Sequence, residues 1–238
     1  MQTVTTGRAL VDMPGDGDLA ALAALTDGQR RRVFGRIQTA AECTVSEIAT
    51  SLSIGRTLVT FHLAKLVEAG LVEVVPAQKR LGVRGRPSQS YRLTGREVAA
   101  SVPDRRYDLL AGVLLEGVAQ HQLGETAQDS AERVAHDRGR ELAQQAIGGR
   151  APRSVSARLT QLGALLTSLG YVPRRDSATI TLRNCPFDKF RAQNTPQVCA
   201  LNVASAQGYL DGLDLSDRLS VELRPSPDSC CVAFDTVR

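Results

Sequence analysis

The sequence predicts an α+β protein with a winged helix-turn-helix at its N-terminal end, and three observations predict it. Within residues 44–70 two short amphipathic helical patterns are separated by a three-residue turn, and two strand-like runs around a basic loop follow them. Charge is divided unevenly: residues 27–96 carry 12 Lys and Arg against five Asp and Glu, whereas residues 99–238 carry 16 of each. Four of the five cysteines lie in that neutral part, after residue 184, among alternating and helical patterns. The 238 residues suit one large domain or two ordinary ones, and a hydrophobic share of 42% is enough to bury a core. No apolar run approaches a membrane span, and the N-terminus has no apolar stretch of the secretory kind. An odd cysteine count without a signal peptide points to a cytoplasmic protein with free, metal-bound or redox-active thiols, not to a disulfide scaffold.

Taken in order, residues 1–17 are polar and read as a disordered tail. From Asp18 to about Ala41, Leu19, Leu22, Ala23, Val33, Phe34 and Ile37 recur at helical spacing. Thr26-Asp27-Gly28 divides this into two helices, with Asp27 or Thr26 as the N-cap of the second. Thr44 followed by Glu47 is a capping box, and Val45, Ile48, Ala49 and Leu52 line the apolar face of the helix it opens. After the turn Ser53-Ile54-Gly55 a further helix should turn Leu58, Val59, Leu63, Leu66 and Val67 inward and stop at Gly70. Leu71–Val75 and Gln89–Leu93 read as the strands of a wing around the loop Pro76–Ser88. Residues 18–96 are therefore the expected winged helix-turn-helix domain.

Residues 97–150 read as a helical linker and dimerisation region. Tyr107, Leu110, Ala111, Leu114 and Val118 form one stripe, and Val134, Leu142 and Ile147 mark a second helix. Residues 151–238 read as an α+β sensor domain. Ser154 caps a Leu-rich helix to Leu169, Tyr171–Arg183 alternates like a strand, and Thr195-Pro196 look like N-cap and first turn of a helix to about Gly212. The runs Arg218–Leu223 and Cys230–Phe234 complete the sheet.

A basic domain of this kind suits double-stranded DNA. The second helix of a helix-turn-helix enters the major groove, so its exposed side must reach base edges and phosphates. Here that side carries Arg56, Thr57, Thr60 and Phe61, with Lys65 one turn later. His62 is expected to pack beside the turn and hydrogen-bond locally. The loop residues Lys79, Arg80, Arg84 and Arg86 would neutralise backbone phosphates, with no acidic residue between Glu73 and Glu97. Arg84-Gly85-Arg86-Pro87 also resembles an AT-hook core, which lies in the minor groove; either way the loop binds DNA.

The segment SEIATSLSIGRTLVTFHLAKLVEAGLV followed by RGRPSQSYRLT resembles ArsR-type regulators with a winged helix. With NCPF, CALN and CCVAF further on, the chain resembles the iron–sulfur repressors of the Suf operon. The resemblance covers residues 19–96 and extends through the Cys-bearing motifs. It implies a dimeric repressor that binds an iron–sulfur cluster and controls cluster-assembly genes from a two-fold operator.

Iron–sulfur clusters are held by thiolates brought together from separate segments. Cys185 precedes Pro186, Cys199 lies 14 residues on, and Cys230 and Cys231 read as neighbours on the last strand. Neighbours on a strand point to opposite faces, so only one of Cys230 and Cys231 is expected to join Cys185 and Cys199. A 4Fe-4S cluster would then need another ligand; His62, His121 and His136 lie far away in sequence, and Asp188 is the candidate. Cys43 reads as a buried apolar residue. Competing readings are buried structural thiols, a zinc site without the usual paired spacing, and a reversible disulfide. In another, helices 154–169 and 196–212 line a pocket for a small apolar ligand. A thiol enzyme is disfavoured because residues 137–238 contain no His to act as base.

Overall fold

The computed structural model describes residues 16–76, 89–148, 154–176, 178–224 and 230–237. The chain divides into two compact units, Met1–Ala100 and Ser101–Arg238. No helix among the described residues is long and apolar enough to cross a membrane.

In the first unit, helices α1 (Asp16–Ala24) and α2 (Gly28–Ala40) precede a short strand β1 (Glu42–Thr44). Asp27 caps α2, its side chain accepting the Arg30 N–H at 2.8 Å. Helix α3 (Val45–Leu52) opens with the full capping box: Glu47 accepts the Thr44 N–H at 2.7 Å and Thr44 accepts the Glu47 N–H at 3.3 Å. Ser53 closes α3 in the left-handed region at φ 54°, which lets the chain reverse within three residues into α4 (Arg56–Glu68). Helix α4 ends in a Schellman motif at Gly70 (φ 67°), where the Leu71 N–H reaches Leu66 O and the Gly70 N–H reaches Val67 O. Strands β2 (Val72–Val75) and β3 (Ser90–Leu93) form the wing.

Three features depart from the sequence reading. β1 adds a third strand, giving the antiparallel order β1-β3-β2 with Cys43 opposite Tyr91. Leu58 and Val67, expected inside, are exposed; Val59, Leu63 and Leu66 alone fill the buried side of α4, together with His62. His62 packs as expected, but neither ring nitrogen has a hydrogen-bond partner among the described residues. The core joins these residues to Val33, Ile37, Ile48 and Leu71, and Cys43 lies in it at 2% exposure as a small apolar residue.

In the second unit, α5 (Tyr107–Ala119), α6 (Ala127–Ala146) and α7 (Val155–Ser168) share one core with a sheet and with α9 (Thr195–Gly212). Thr126 and Asp129 form a second capping box at the start of α6. The sheet runs β4-β5-β7-β6, antiparallel throughout, from β4 (Pro173–Arg175), β5 (Thr179–Leu182), β6 (Leu219–Leu223) and β7 (Val232–Thr236). The expected single strand 171–183 is thus a hairpin. Helices α6 and α9 approach closely because Gly208 carries no side chain. A Cβ there would overlap the carbonyl oxygen of His136 and stand 2.8 Å from the Arg140 nitrogen. Leu162, Leu165 and Leu166 of α7 are buried in this core. The apolar stripe read on α5 is only partly internal: Leu110 is buried, but Ala111, Leu114 and Val118 are exposed, and Val113 and Gly117 take the inner side.

Helix α9 begins at Thr195 with Asn194 before it, so Thr195 is not its N-cap. A one-turn helix, α8 (Asp188–Arg191), follows the Cys185-Pro186 loop. Cys230 and Cys231 are not on a strand: β7 begins at Val232, and the two cysteines form the bend before it. The Cys230 N–H is given to Leu182 O at 2.8 Å on one side, while Cys231 O accepts from the Arg224 N–H at 2.6 Å on the other. Away from a regular strand the alternation of faces does not apply, and both side chains are buried.

Candidate functional site

The outer side of α4 carries Arg56, Thr57, Thr60 and Phe61, all exposed. The Thr60 hydroxyl donates to Arg56 O at 3.0 Å, a bond it can exchange for an outside acceptor. Phe61, at 53% exposure, presents an apolar ring to solvent edge-on to His62. Gly55, the N-cap of α4, supplies no side-chain acceptor for the first backbone N–H groups of the helix.

The positive charge of this unit is more structural than its sum suggests. Arg30 and Arg31 donate to the last carbonyls around α1, at Ala24, Leu25 and Thr26. Arg32 and Arg36 tie α2 to the end of α3 through Leu52 O and Ser51 Oγ. Arg92 pairs with Glu73 at 2.6 Å, Arg96 with Asp18, and Lys65 with Glu68 at 2.7 Å. Among the described basic residues of this unit, Arg56 is the one whose side chain has no partner in the protein. Lys79, Arg80, Arg84 and Arg86 lie outside the described residues.

The second site is internal. Cys185, Cys199, Cys230 and Cys231 are each 5% exposed or less and come from three segments: the loop after β5, the first turns of α9 and the bend before β7. They pair two by two. Cys230 hydrogen-bonds the Cys185 sulfur, Cys231 bonds Cys199, and the charge of Cys185 is felt at Cys199. The bond from the Cys230 thiol, the Phe187 backbone N–H and the Arg191 charge bring the Cys185 thiol down to about 7 against the pull of burial. Burial and the Cys231 bond push Cys199 up to about 12. The bond to Cys185 and burial raise Cys230 still further.

Polar groups surround these sulfurs. The amide Nδ2 of Asn202 lies 3.1 Å from Cys230 Sγ, and the Tyr171 hydroxyl donates to its Oδ1 at 2.5 Å. Arg191 Nη1 stands 4.0 Å from Cys231 Sγ. Asp188 pairs with Arg191 at 2.7 Å and with Arg105 at 3.9 Å, so its carboxylate is engaged by cations. Among the described residues no three His, Cys, Asp or Glu side chains converge as a single metal ion requires.

The segment next to the boundary between the units is bonded to the Cys185 loop. Arg105 Nη1 donates to Asn184 Oδ1 at 2.6 Å and to Cys185 O at 3.2 Å. Asn184 Nδ2 donates to Asp104 O at 2.9 Å and Gly170 O at 2.6 Å, and the Arg106 N–H reaches Pro186 O at 3.1 Å.

Sequence reasoning missed Asn202, Tyr171 and Arg191. The signal for Asn202 was present, as a polar residue three positions after Cys199 and hence on the same side of α9.

Residues 25–75 match the helix-turn-helix domain family, a span from the end of α1 through β2. No curated protein matches the chain. The match and the geometry of α3, α4 and the wing strands support a DNA-binding transcriptional regulator of winged helix-turn-helix type.

Proposed function

We propose that the protein is a homodimeric repressor, similar to the Suf-repressor group, whose operator affinity is set by an iron–sulfur cluster in the second unit. One observation carries this reading: four buried thiols from three segments lie as two neighbouring pairs among hydrogen-bond donors and a guanidinium. Such a donor set suits a cluster, which takes one thiolate on each iron and does not need the sulfurs to converge on one point. Cys185, Cys199, Cys230 and Cys231 would hold it. With both neighbours of the bend turned inward, the remaining thiol replaces Asp188 as the fourth donor. When bound, the group supplies one-electron redox chemistry and sensitivity to oxygen.

The protein's own residues carry the response. Cys185 stands in a loop bonded to Asp104, Arg105 and Arg106, a few residues from the first unit. Reorganising the thiols alters that loop and with it the segment leading to the DNA-binding unit, which shifts the population of DNA-competent dimers. The exposed apolar residues Ala111, Leu114, Leu115 and Val118 of α5 would be covered by the second copy.

The test is anaerobic purification with iron and sulfide analysis. Brown protein containing both, which loses them with the Cys185→Ser, Cys199→Ser pair, is expected; colourless, iron-free anaerobic protein sinks the cluster. The pairing of Cys185 with Cys230 and of Cys199 with Cys231 favours one other reading, a thiol switch. In it two thiols and one hydroperoxide give a disulfide, an alcohol and water. Iron-free protein whose DNA binding changes reversibly with hydroperoxide and dithiol would select it.

A further inference from the structure

We propose that Asn202, held by Tyr171, is a positioning residue that presents an N–H donor to the Cys230 sulfur and raises the reduction potential of the thiol-bound cluster; this rests on the cluster reading above. Asn202 is 2% exposed on α9, one turn beyond Cys199. A primary amide in such surroundings is expensive unless its donor and acceptor both find partners. Its acceptor is used by Tyr171, itself 2% exposed, whose hydroxyl must also be satisfied inside the protein. With Oδ1 fixed in that way, the NH2 group is turned to Cys230 Sγ at 3.1 Å.

The adjacent cysteine is treated differently. Cys231 faces Cys199 and the Arg191 guanidinium and has no amide donor among the described residues. Two sulfurs adjacent in sequence therefore sit in distinct fields, one set by a neutral dipole and the other by a cation. The donors also run in one direction, from the Tyr171 hydroxyl to Asn202 and from Asn202 to the Cys230 sulfur. An N–H donated to a ligand sulfur stabilises the more negative, reduced cluster, and burial strengthens the bond.

The experiment compares the full wild-type chain with Asn202→Leu and Tyr171→Phe. Each is loaded anaerobically with ferrous iron and sulfide and titrated for its midpoint potential. Asn202→Leu should move the reduced-to-oxidised equilibrium about tenfold toward oxidised, a fall of about 59 mV for a one-electron couple. Tyr171→Phe should move it the same way by less, with the iron and sulfide content of wild type in both variants. A second arm needs no cluster: in reduced protein, mass mapping after iodoacetamide should show Cys185 and Cys230 alkylated at least threefold more slowly in Asn202→Leu. Cys199 should keep its wild-type rate, which a general loosening of the second unit would not allow. Unchanged potential at full iron content, or an equal change at all four thiols of the second unit, overturns the proposal. Should Asn202→Leu not fold, Tyr171→Phe decides by the same two readouts. Wild-type protein that takes up no iron and sulfide removes the cluster reading alone, and the alkylation arm then decides whether Asn202 acts on the Cys230 sulfur.

Discussion

One unit carries its candidate chemistry outside its core, and the other carries it within. In Met1–Ala100 the polar groups of interest project into solvent from one helix, and the core beneath holds them with local bonds. In Ser101–Arg238 the reactive groups are inside the core, and three segments up to 46 residues apart must come together to make the site. A surface site tolerates change in one side chain at a time. A buried site ties its chemistry to the packing that encloses it. The contrast can be broken by any variant that leaves the second unit folded but disperses its thiols.

The largest expected effect is therefore in packing. Gly208→Ala would drive a methyl group into the backbone of α6 at His136 and Arg140, neither of which can rotate away. Parting α6 from α9 should destabilise the second unit by about 3 kcal/mol or more. Urea unfolding followed by a probe in each unit should show only the second transition move. Equal movement of both transitions would mean that the units are not energetically separate.

Next is the order of thiol reactivity. With Cys185 at about 7 and Cys199 at about 12, Cys185 should be alkylated roughly a hundredfold faster at neutral pH, after allowing for the lower nucleophilicity of the more acidic thiol. Its rate should reach half of its plateau near pH 7. The stability linkage of the reduced protein has two signs. Cys185 lies below the ordinary value of 9.0, so its contribution is present above 9 and is lost as pH falls through 7. Cys199 lies above 9.0, so its contribution is present below 9 and is lost as pH rises toward 12. A pH series of urea midpoints checks both; a flat profile from 7 to 9 would contradict the Cys185 environment.

The same difference in locality decides what the sequence could reveal. The helix-turn-helix was legible because the Thr44–Glu47 box, the Ser53 turn and the Gly70 stop all act within a few residues of one another. β1 was not legible: three residues show no alternation, and they become a strand only by pairing with β3, 48 positions on. The inward helix positions were overstated by Leu58 and Val67, because apolar spacing does not say how wide a face the rest of the unit covers. The cysteines were recognisable as a set. Their geometry was not, since the placement of Cys230 and Cys231 before β7 depends on bonds to Leu182 and Arg224. The net charge was legible as a number, but its use was not, because capping by Arg30 and Arg31 appears only once α1 ends beside them.

Arg56 sharpens the surface side of the comparison. It is exposed and has no partner among the described residues, so its removal should leave stability within about 0.5 kcal/mol of wild type. Arg56→Ala should nevertheless weaken binding to a duplex selected from a random pool by about 1–3 kcal/mol and blur one position of its preference. Lys65→Ala, which frees Glu68, should act mainly through the salt dependence of binding. If Arg56→Ala changes neither affinity nor preference, α4 is not the helix that reads the bases.

The smallest effect concerns the link between the core of the first unit and its surface. In Thr44→Ala the capping box loses the acceptor for the Glu47 N–H, while Glu47 keeps its bond from the Thr44-position backbone N–H. Caps of this type contribute about 1 kcal/mol. The Glu47 carboxyl is held below its ordinary range by the Thr44 backbone N–H and hydroxyl, so this stabilisation is present at neutral pH and is lost as the carboxylate protonates. The variant should lower the stability of the first unit by about 1 kcal/mol at pH 7, and the difference from wild type should shrink in acid. It should leave the alkylation order of Cys185 and Cys199 untouched, because none of the groups acting on those thiols belongs to the first unit. A change in that order with Thr44→Ala would show that the folding of the DNA-binding unit reaches the thiols directly.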